Sequence, residues 1–386
     1  MRGPAKLGIV GLIVAALVLA GITLSGSPSP GGVTPPGPPA SFTATPGDAQ
    51  VTLAWFAPAS DGGAPITGYR IYRGTVPGTE GTLLLTASST SHVDGQLTNG
   101  QTYYYRVSAV NSAGEGAKTG ERAATPHIPS PPTGDVTVSF IDVGQGDSIL
   151  VETPDSKHVL IDAGPESADS TIISFLQGRS VTTLDALIIT HPDADHLGGA
   201  DEVLGSFAVL RVYHSGFVKD TVAYTNFIAA AGSEGCPIYT DAQIDPGDMI
   251  ALSSSVTFQV MAIDADAPDA NSASIVIKMS YGTVDFLFEG DAPSSVESAM
   301  IANPSLSLDV EILKVGHHGS SSATSEAFLT ATSPALGVIC VGADNTYGHP
   351  TQQTLSRLAA HGVAVYRTDL DGTVQVTSDG STWNVT

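Results

Sequence analysis

A ten-residue loop after a short apolar strand constrains this chain more than any other feature. The apolar residues 187–189 lead into the loop 190–199, in which four side chains can bind a metal ion: His191, Asp193, Asp195 and His196. Imidazole nitrogen and carboxylate oxygen are the ligands that divalent ions use in hydrolytic sites. Glycines at 198 and 199 let the chain turn close to such an ion. Four ligand-type residues within six positions therefore predict a metal site that supports hydrolysis.

Further motifs with metal-binding or proton-carrying side chains occur in the second half of the chain. Asp162 follows the apolar run 159–161, and Asp291 follows a second run at 284–288. His317 and His318 are adjacent, three residues after Lys314. Two Gly-containing segments, 140–148 and 345–350, complete the set.

These motifs resemble, in order, those of the metallo-β-lactamase fold. Residues 140–148 and 345–350 resemble more specifically the hydrolase domain of the ComEC family, the membrane proteins of DNA uptake. The resemblance runs from about residue 135 to the C-terminus and implies an α/β domain, an αββα sandwich with two divalent metal ions, zinc or manganese. Helical patterns at 170–177 and 354–360, between strand-like runs, suit that sandwich. ComEC proteins also carry a multi-helix channel segment that residues 1–386 do not include, so we expect a role in DNA uptake to need a partner.

The resemblance also implies which residues hold the metals. They are His191, Asp193, Asp195, His196, Asp291 and either His317 or His318. The first two would hold one metal, the next two the other, and Asp291 would bridge them. The sequence leaves the choice between the adjacent histidines open, because in an extended segment their side chains point in opposite directions.

Two departures from the family pattern concern the first metal. Asp193 stands where most of the superfamily has histidine, which makes the site richer in oxygen and more suited to manganese or magnesium. The superfamily also has a histidine between the main loop and the bridging aspartate. Here Asn271 is a weak substitute, and His214 is predicted to be a loop or pocket-rim histidine rather than a ligand.

Three residues are predicted to act in catalysis on a phosphodiester, which needs charge stabilisation and a proton for the leaving group. Lys314 suits the first role and His349 the second, while Asp195 is both a ligand and essential for hydrolysis. The alternatives are a strand-end lysine that reaches solvent and a turn histidine that caps backbone. Asp142 and Asp162 are predicted to orient ligand histidines.

The first half of the chain predicts other units. Residues 40–126 alternate in short strands and resemble a fibronectin type III domain, with Trp55 packed on Tyr69 and Leu97 and Tyr103 at a tyrosine corner. Such a module is a spacer or a weak contact for protein or glycan. The predicted division is a signal anchor or signal peptide, a Gly/Ser/Pro linker, the fibronectin unit, a Pro-rich linker and the hydrolase, at 1–24, 25–39, 40–126, 127–135 and 136–386.

The N-terminus predicts export. Arg2 and Lys6 precede an uncharged stretch at 7–24, whose 18 residues are just enough to cross a bilayer. The chain would be a single-pass membrane protein with its domains outside the cytoplasm, or a secreted protein if the segment is cleaved. Cys236 and Cys340 would then be either a disulfide or two separate thiols.

Charge bears on the substrate. Residues 1–133 hold 7 Lys and Arg against 6 Asp and Glu, whereas residues 134–386 hold 8 against 32. An acidic surface repels polyanions, which proteins normally bind through Lys and Arg. The sequence therefore predicts a phosphodiesterase or nuclease by resemblance and leaves two alternatives. These are a hydrolase of small phosphoesters or lactones, and an inactive surface adhesion protein.

Overall fold

The computed structural model describes residues 32–47, 49–79, 81–126 and 133–386. Within these ranges no helix has both the length and the apolar character needed to cross a membrane. The apolar segment predicted as an anchor, residues 7–24, lies outside the described residues, so the anchor stays a prediction.

The N-terminal unit is a sandwich of two antiparallel sheets. Its strands are β1 Ala40–Gly47, β2 Gln50–Phe56, β3 Gly68–Gly74, β4 Thr82–Ala87, β5 Ser91–Asp94, β6 Tyr103–Asn111, β7 Gly114–Lys118 and β8 Arg122–Ala124. One sheet has the order β1-β2-β5 and the other β4-β3-β6-β7, with β8 also paired to β6. The predicted contact is confirmed: Trp55 and Tyr69 meet edge to face with centroids 5.5 Å apart. The backbone N–H of Thr98 donates to the Tyr103 hydroxyl at 3.2 Å.

The C-terminal unit contains two large sheets. Its strands are β9 Val136–Phe140, β10 Ile149–Glu152, β11 His158–Ile161, β12 Thr183–Leu184, β13 Ala186–Ile189, β14 Ala208–Val209, β15 Val212–His214, β16 Ile238–Tyr239, β17 Met249–Ile250, β18 Thr257–Ala262, β19 Val276–Tyr281, β20 Val284–Phe288, β21 Ile312–Lys314, β22 Leu336–Ile339, β23 Ala364–Arg367, β24 Val374–Ser378 and β25 Trp383–Val385. The sheet orders are β16-β15-β13-β11-β10-β9-β24-β25 and β17-β18-β19-β20-β21-β22-β23. A short pair, β12-β14, stands apart from both.

Helices cover the outer faces of the two sheets. They are α1 Asp169–Gly178, α2 Ala194–Leu197, α3 Ala200–Ser206, α4 Val222–Glu234, α5 Ser294–Ala302, α6 Glu326–Thr332, α7 Gln352–Ala360 and α8 Thr368–Asp371. α1, α3 and α4 bury apolar residues against the first sheet, and α5, α6 and α7 do so against the second. A third core lies between the sheets, so the order of layers is αββα, as the resemblance implies.

Alternation along the strands produces these separate cores. In β10, for example, Leu150 belongs to the helix-covered face, while its neighbours Ile149 and Val151 belong to the core between the sheets. Successive side chains of a strand point to opposite faces, so a strand buried on both sides is apolar throughout.

The chain direction brings the predicted site residues to one edge. β11, β13 and β15 are parallel in the first sheet, and β20, β21 and β22 are parallel in the second. Asp162, the loop 190–199, Asp291 and the histidine pair all follow the carboxyl ends of these strands. Ligand sites of open α/β sheets form at such ends.

The two units touch through a row of aromatic rings. Phe56 at the end of β2 stacks on Tyr239 with centroids 4.6 Å apart, and Tyr239 stacks on Tyr213 at 4.9 Å. The hydroxyl of Thr90 donates to the buried carboxylate of Asp248. The N-terminal unit is therefore docked on the C-terminal unit, a contact that the sequence prediction of a spacer did not include.

Candidate metal centre

The loop after β13 places two histidines inside the domain. His191 and His196 are both fully buried, and their rings lie 4.1 Å apart. Nδ1 of His191 lies 3.1 Å from the hydroxyl of Thr190, while its Nε2 is buried without a hydrogen-bond partner among the described residues. Burial holds the pKa of His191 well below its ordinary value, so the imidazole is neutral at pH 7. A neutral imidazole with a buried, unpartnered nitrogen is suited to bind a metal ion.

Asp162 orients the second histidine of the loop. Its carboxylate accepts hydrogen bonds from the backbone N–H and the hydroxyl of Thr190, both at 2.7 Å. His196 Nδ1 lies 2.7 Å from the same Oδ2 that accepts the hydroxyl. A carboxylate on Nδ1 leaves Nε2 free for a metal, which is the usual arrangement around ligand histidines.

The histidine pair after β21 is not extended, and its geometry distinguishes the two rings. Both residues have positive φ, +48° for His317 and +53° for His318. This left-handed turn buries His318, whose Nδ1 donates to the Cys340 carbonyl at 2.8 Å. The side chain of His317 stays 24% exposed. Two consecutive non-glycine residues with this backbone are strained, a condition found at functional sites.

Asp291 is the point on which the histidines converge. Its Oδ1 lies 3.3 Å from His196 Nε2, and its Oδ2 lies 3.5 Å from His318 Nε2, 3.6 Å from His317 Nε2 and 3.9 Å from His191 Nε2. Burial alone would raise the pKa of Asp291, but the neighbouring His318 and His196 hold it well below its ordinary value. The carboxylate is therefore ionised, and its role as a bridging ligand stays a prediction.

Two overlapping clusters of ligand atoms result. One consists of His191, His196 and Asp291, and the other of Asp147, His196 and His318. Within each cluster the ligand atoms lie within 4.8 Å of one another. Oδ1 of Asp291 and Oδ1 of Asp147 join His191 Nε2 as buried atoms without a hydrogen bond in the described parts of the chain. Buried polar atoms are normally satisfied, so these residues fit a bound divalent cation.

The two loop aspartates lie at the rim rather than in these clusters. Asp195 Oδ2 is 3.3 Å from His318 Nε2, and its side chain is 28% exposed. Burial opposes ionisation of Asp195, but the hydrogen bond from His318 outweighs it and lowers the pKa. Asp193 instead forms an ion pair with Lys219, a residue that sequence reasoning did not select. The ligand roles of Asp193 and Asp195 stay predictions.

Lys314 is deeply buried and does not reach solvent. Its side chain is 0% exposed, forms an ion pair with Asp147 and donates to the Gly290 carbonyl at 2.9 Å. Burial disfavours the charged amine, but Asp147 and Asp291 raise its pKa above the ordinary value. Burial would likewise raise the pKa of Asp147, but Lys314, followed by His196, holds it below its ordinary value. The strand-end alternative is therefore wrong, and the predicted contact of Lys314 with substrate oxygens stays untested.

The turn that contains Asp142 brings Asp147, and not Asp142, to the clusters. Asp142 is exposed and accepts a hydrogen bond from the Gly144 backbone N–H at 3.1 Å, so it orients no ligand histidine. Between them, Gly146 has φ +137°, and a Cβ there would lie 2.2 Å from the Asp195 carbonyl oxygen. The tight turn lets the chain pass against the metal loop and directs Asp147 inward.

An open cleft of about 90 Å³ lies over the clusters. It is lined by Gln145, Asp193, Asp195, Asp291, His317, His318, Tyr347 and His349. His349 lies edge to face with His317 at 5.5 Å, and its Nδ1 is buried without a hydrogen bond to any described residue. Burial, followed by the charges of His317 and His318, lowers the pKa of His349.

The remaining candidates lie outside the clusters. His214 is buried against Phe227, and burial lowers its pKa to about 4. His214 belongs to neither cluster of the described residues, and Asn271 begins a 3₁₀ turn. Cys236 and Cys340 are free thiols, so the disulfide alternative is not supported.

Comparison with known families shows to which superfamily the chain belongs. The family model described as "Metallo-beta-lactamase superfamily" matches residues 141–343. The chain belongs to this superfamily. A second family model, "Fibronectin type III domain", matches residues 36–125, so the metallo-β-lactamase domain is preceded by a fibronectin type III domain.

Several curated relatives of this metallo-β-lactamase protein are competence proteins. "ComE operon protein 3" of Bacillus subtilis is 34% identical over 257 residues, which are 62% of this chain and 32% of the relative. "Competence protein ComA" of Neisseria gonorrhoeae is 31% identical over 245 residues, 63% of this chain and 32% of the relative. "Recombination protein 2" of Haemophilus influenzae is 27% identical, covering 62% and 28%. The chain thus spans about a third of the length of these relatives.

Proposed function

We propose that this chain is an exported, metal-dependent phosphodiesterase that acts on nucleic acid. The observation that carries the proposal is the convergence of His191, His196 and His318 on the buried carboxylate of Asp291, beneath a cleft open to solvent. The names of the competence relatives support nucleic acid as the substrate class. Export rests on the apolar segment 7–24 after Arg2 and Lys6.

The residues suggest how the reaction is organised. Divalent ions, when bound, supply Lewis acidity and lower the pKa of water. His191, His196, His318, Asp195 and Asp291 would hold them, and His196 belongs to both clusters. Asp162 and the Cys340 carbonyl fix the rings of His196 and His318, so little reorganisation is needed before the reaction.

The proton of the leaving group requires a residue at the cleft surface. His349 meets this requirement, because it lines the cleft beside His317 and His318. Lys314 acts from beneath: it holds Asp147 beside His318 and lies 3.8 Å from Asp291. In this proposal its charge stabilises the anionic site without contact with the substrate.

The test uses the full chain, stripped of metal and titrated with manganese and with zinc. We expect about two ions per chain and metal-dependent cleavage of DNA. Asp195→Ala should lower cleavage at least about 100-fold, as loss of an essential group does. Asp142→Ala, at the exposed aspartate on the neighbouring turn, is the matched control and should change little. DNA untouched under every metal and salt condition would overturn the proposal.

A small phosphoester is the second candidate substrate, and the charge distribution favours it. Residues 134–386 carry 32 Asp and Glu against 8 Lys and Arg, which opposes contact with a polyanion. The affinity for DNA should fall steeply with salt if several phosphates are bound, whereas a small monoanionic ester should show a shallow slope. Salt titration of KM therefore separates the two candidates.

A further inference from the structure

We propose that the cleft binds an unpaired nucleotide, with its base stacked on Tyr347 and its phosphate beside Lys219. This inference rests on the proposed phosphodiesterase function and names the form of nucleic acid that the site takes. It concerns two residues: Tyr347, which lines the cleft, and Lys219, which pairs with the cleft residue Asp193.

Tyr347 presents an aromatic surface next to the site. The residue is 67% exposed, and it is the aromatic member of the exposed large hydrophobic residues in the described chain. Its ring lies nearly parallel to that of His349, with an interplanar angle of 23° and centroids 5.8 Å apart. Tyr347 also lines the cleft together with Asp195 and Asp291. A ring that is not needed for the core and lies beside a hydrolytic cleft is placed to contact substrate.

The loop that carries Tyr347 is held in position. The side-chain amide of Asn345 donates to the Gly342 carbonyl at 2.8 Å and to the His349 carbonyl at 2.7 Å. The backbone N–H of His349 returns a hydrogen bond to Asn345 Oδ1 at 3.0 Å. Tyr347 is thus enclosed in a clamped turn, which lowers the entropy lost when a base stacks on it.

Lys219 supplies a positive charge beside the same cleft. It pairs with Asp193, which lines the cleft, and 35% of the lysine side chain is exposed. The other cation of the site, Lys314, is buried and paired with Asp147. A phosphate arriving at the cleft would otherwise face Asp193, Asp195 and Asp291, so Lys219 provides the needed attraction.

An aromatic surface and a cation together select an unpaired nucleotide. Every base has a π-face that can stack on an aromatic side chain, and such stacking contributes to single-strand binding without sequence preference. In a duplex the faces of the bases are already stacked on each other, so Tyr347 can contact only a base that has left the helix. A small ester without a base would gain nothing from Tyr347.

The test compares substrates with a single phosphodiester. The manganese-loaded full chain would be assayed on dithymidine monophosphate and on its two analogues in which one or the other base is absent. We expect the wild type to prefer the intact dinucleotide over at least one analogue by about 5- to 100-fold in kcat/KM. Tyr347→Ala should bring the intact and abasic rates together, and Tyr347→Phe should keep the preference. Leu210→Ala, at an exposed residue outside the cleft lining, is the matched control.

Substitution of Lys219 should change KM in a different pattern with the same substrates. Lys219→Gln should raise KM for the intact and abasic substrates by the same factor, and Lys219→Arg should restore it. Metal content measured in parallel ensures that release of Asp193 has not altered the metal site.

The outcomes separate this inference from the proposed function. Hydrolysis of all three substrates at equal rates, by wild type and Tyr347→Ala alike, would overturn the stacking role and leave the phosphodiesterase standing. A metal-loaded protein that hydrolyses none of these three substrates and also fails to cleave long DNA would overturn the proposed function itself. Equal activity on single-stranded and duplex DNA of one sequence would also contradict the inference.

Discussion

His196 and Asp162 are joined by a hydrogen bond of 2.7 Å between Nδ1 and Oδ2. The carboxylate is fully buried, and its other contacts are both donors from Thr190. An ionised carboxylate can only accept hydrogen bonds, so it holds a proton on Nδ1 of His196. The direction of Nε2 toward Asp291 follows from this one relationship.

We therefore expect Asp162→Asn to weaken metal binding without unfolding the protein. An amide offers one acceptor oxygen and an NH₂ group, which would face donors and disturb the His196 ring. Loss of such an orienting residue typically lowers metal affinity 10- to 100-fold. Competition with a chelator measures the affinity, and Asp142→Asn serves as the control. Unchanged affinity in Asp162→Asn would contradict the orienting role.

The adjacent histidines should differ in their effect on metal binding. His318→Ala removes a buried Nε2 next to His196 and Asp195, and we expect a loss of affinity greater than the 10- to 100-fold of an orienting residue. His317→Ala removes a partly exposed ring and should keep the metal while changing turnover. Metal content by elemental analysis, together with kcat, checks both variants. The reverse pattern would assign the ligand to His317.

Lys314 should matter for folding before it matters for catalysis. Lys314→Met leaves Asp147 as a buried charge without its partner, which costs about 3–5 kcal/mol of unfolding free energy. The double variant Lys314→Met/Asp147→Asn lacks that buried charge, so part of the lost unfolding free energy should be recovered. Urea unfolding of the metal-free proteins measures the cycle. A single variant as stable as the wild type would show that the pair is not buried in solution.

Asp169 predicts a pH dependence of stability away from the metal centre. Burial, followed by the nearby Glu202 and Asp201, raises the pKa of Asp169 from 3.8 to about 6. The folded state then binds more protons than the unfolded state between these values, so stability falls as pH rises from about 4 to about 6. Asp169→Asn removes this loss. We expect it to be more stable than the wild type by about 1 kcal/mol above pH 6, after allowance for solvent screening, with no difference below pH 4.

The denaturation midpoint of the two proteins across pH 3.5–8 checks this prediction. The difference in midpoint between the two proteins should increase with rising pH, because Asp169 ionises only in the upper part of the range. A constant difference at all pH values would instead indicate a change in packing around the unpartnered Oδ1 of Asp169.

Residue types predicted the fold and much of the site, because local order carries that information. The family resemblance implied the αββα layers, and the loop 190–199 predicted where the metal centre lies. The predicted helices at 170–177 and 354–360 are present as α1 and α7. What escaped prediction depends on contacts between distant parts of the chain. The Asp193–Lys219 pair joins residues 26 apart, and nothing in the spacing of either residue indicates the other.

Two choices could not be made from the sequence for a more specific reason. Asp142 and Asp147 are both aspartates at the ends of one Gly-rich turn, so the sequence does not distinguish them. Only Asp147 pairs with Lys314. His317 and His318 were expected to point in opposite directions in an extended segment, and their left-handed backbone changes that premise. Backbone strain of this kind is maintained by surrounding structure, so local propensity does not report it.

The stacked rings of Phe56, Tyr239 and Tyr213 affect how this protein is best produced. The two family matches place a domain boundary that would lead one to express the metallo-β-lactamase domain alone, from about residue 134. Such a truncation would expose the ring of Tyr239 to water and remove the Thr90 hydroxyl from Asp248. Exposed apolar surface of this kind favours aggregation. Poor solubility of the shortened protein would then reflect a missing neighbour rather than a defective fold, and the two-domain chain is the smallest unit in which that surface stays covered.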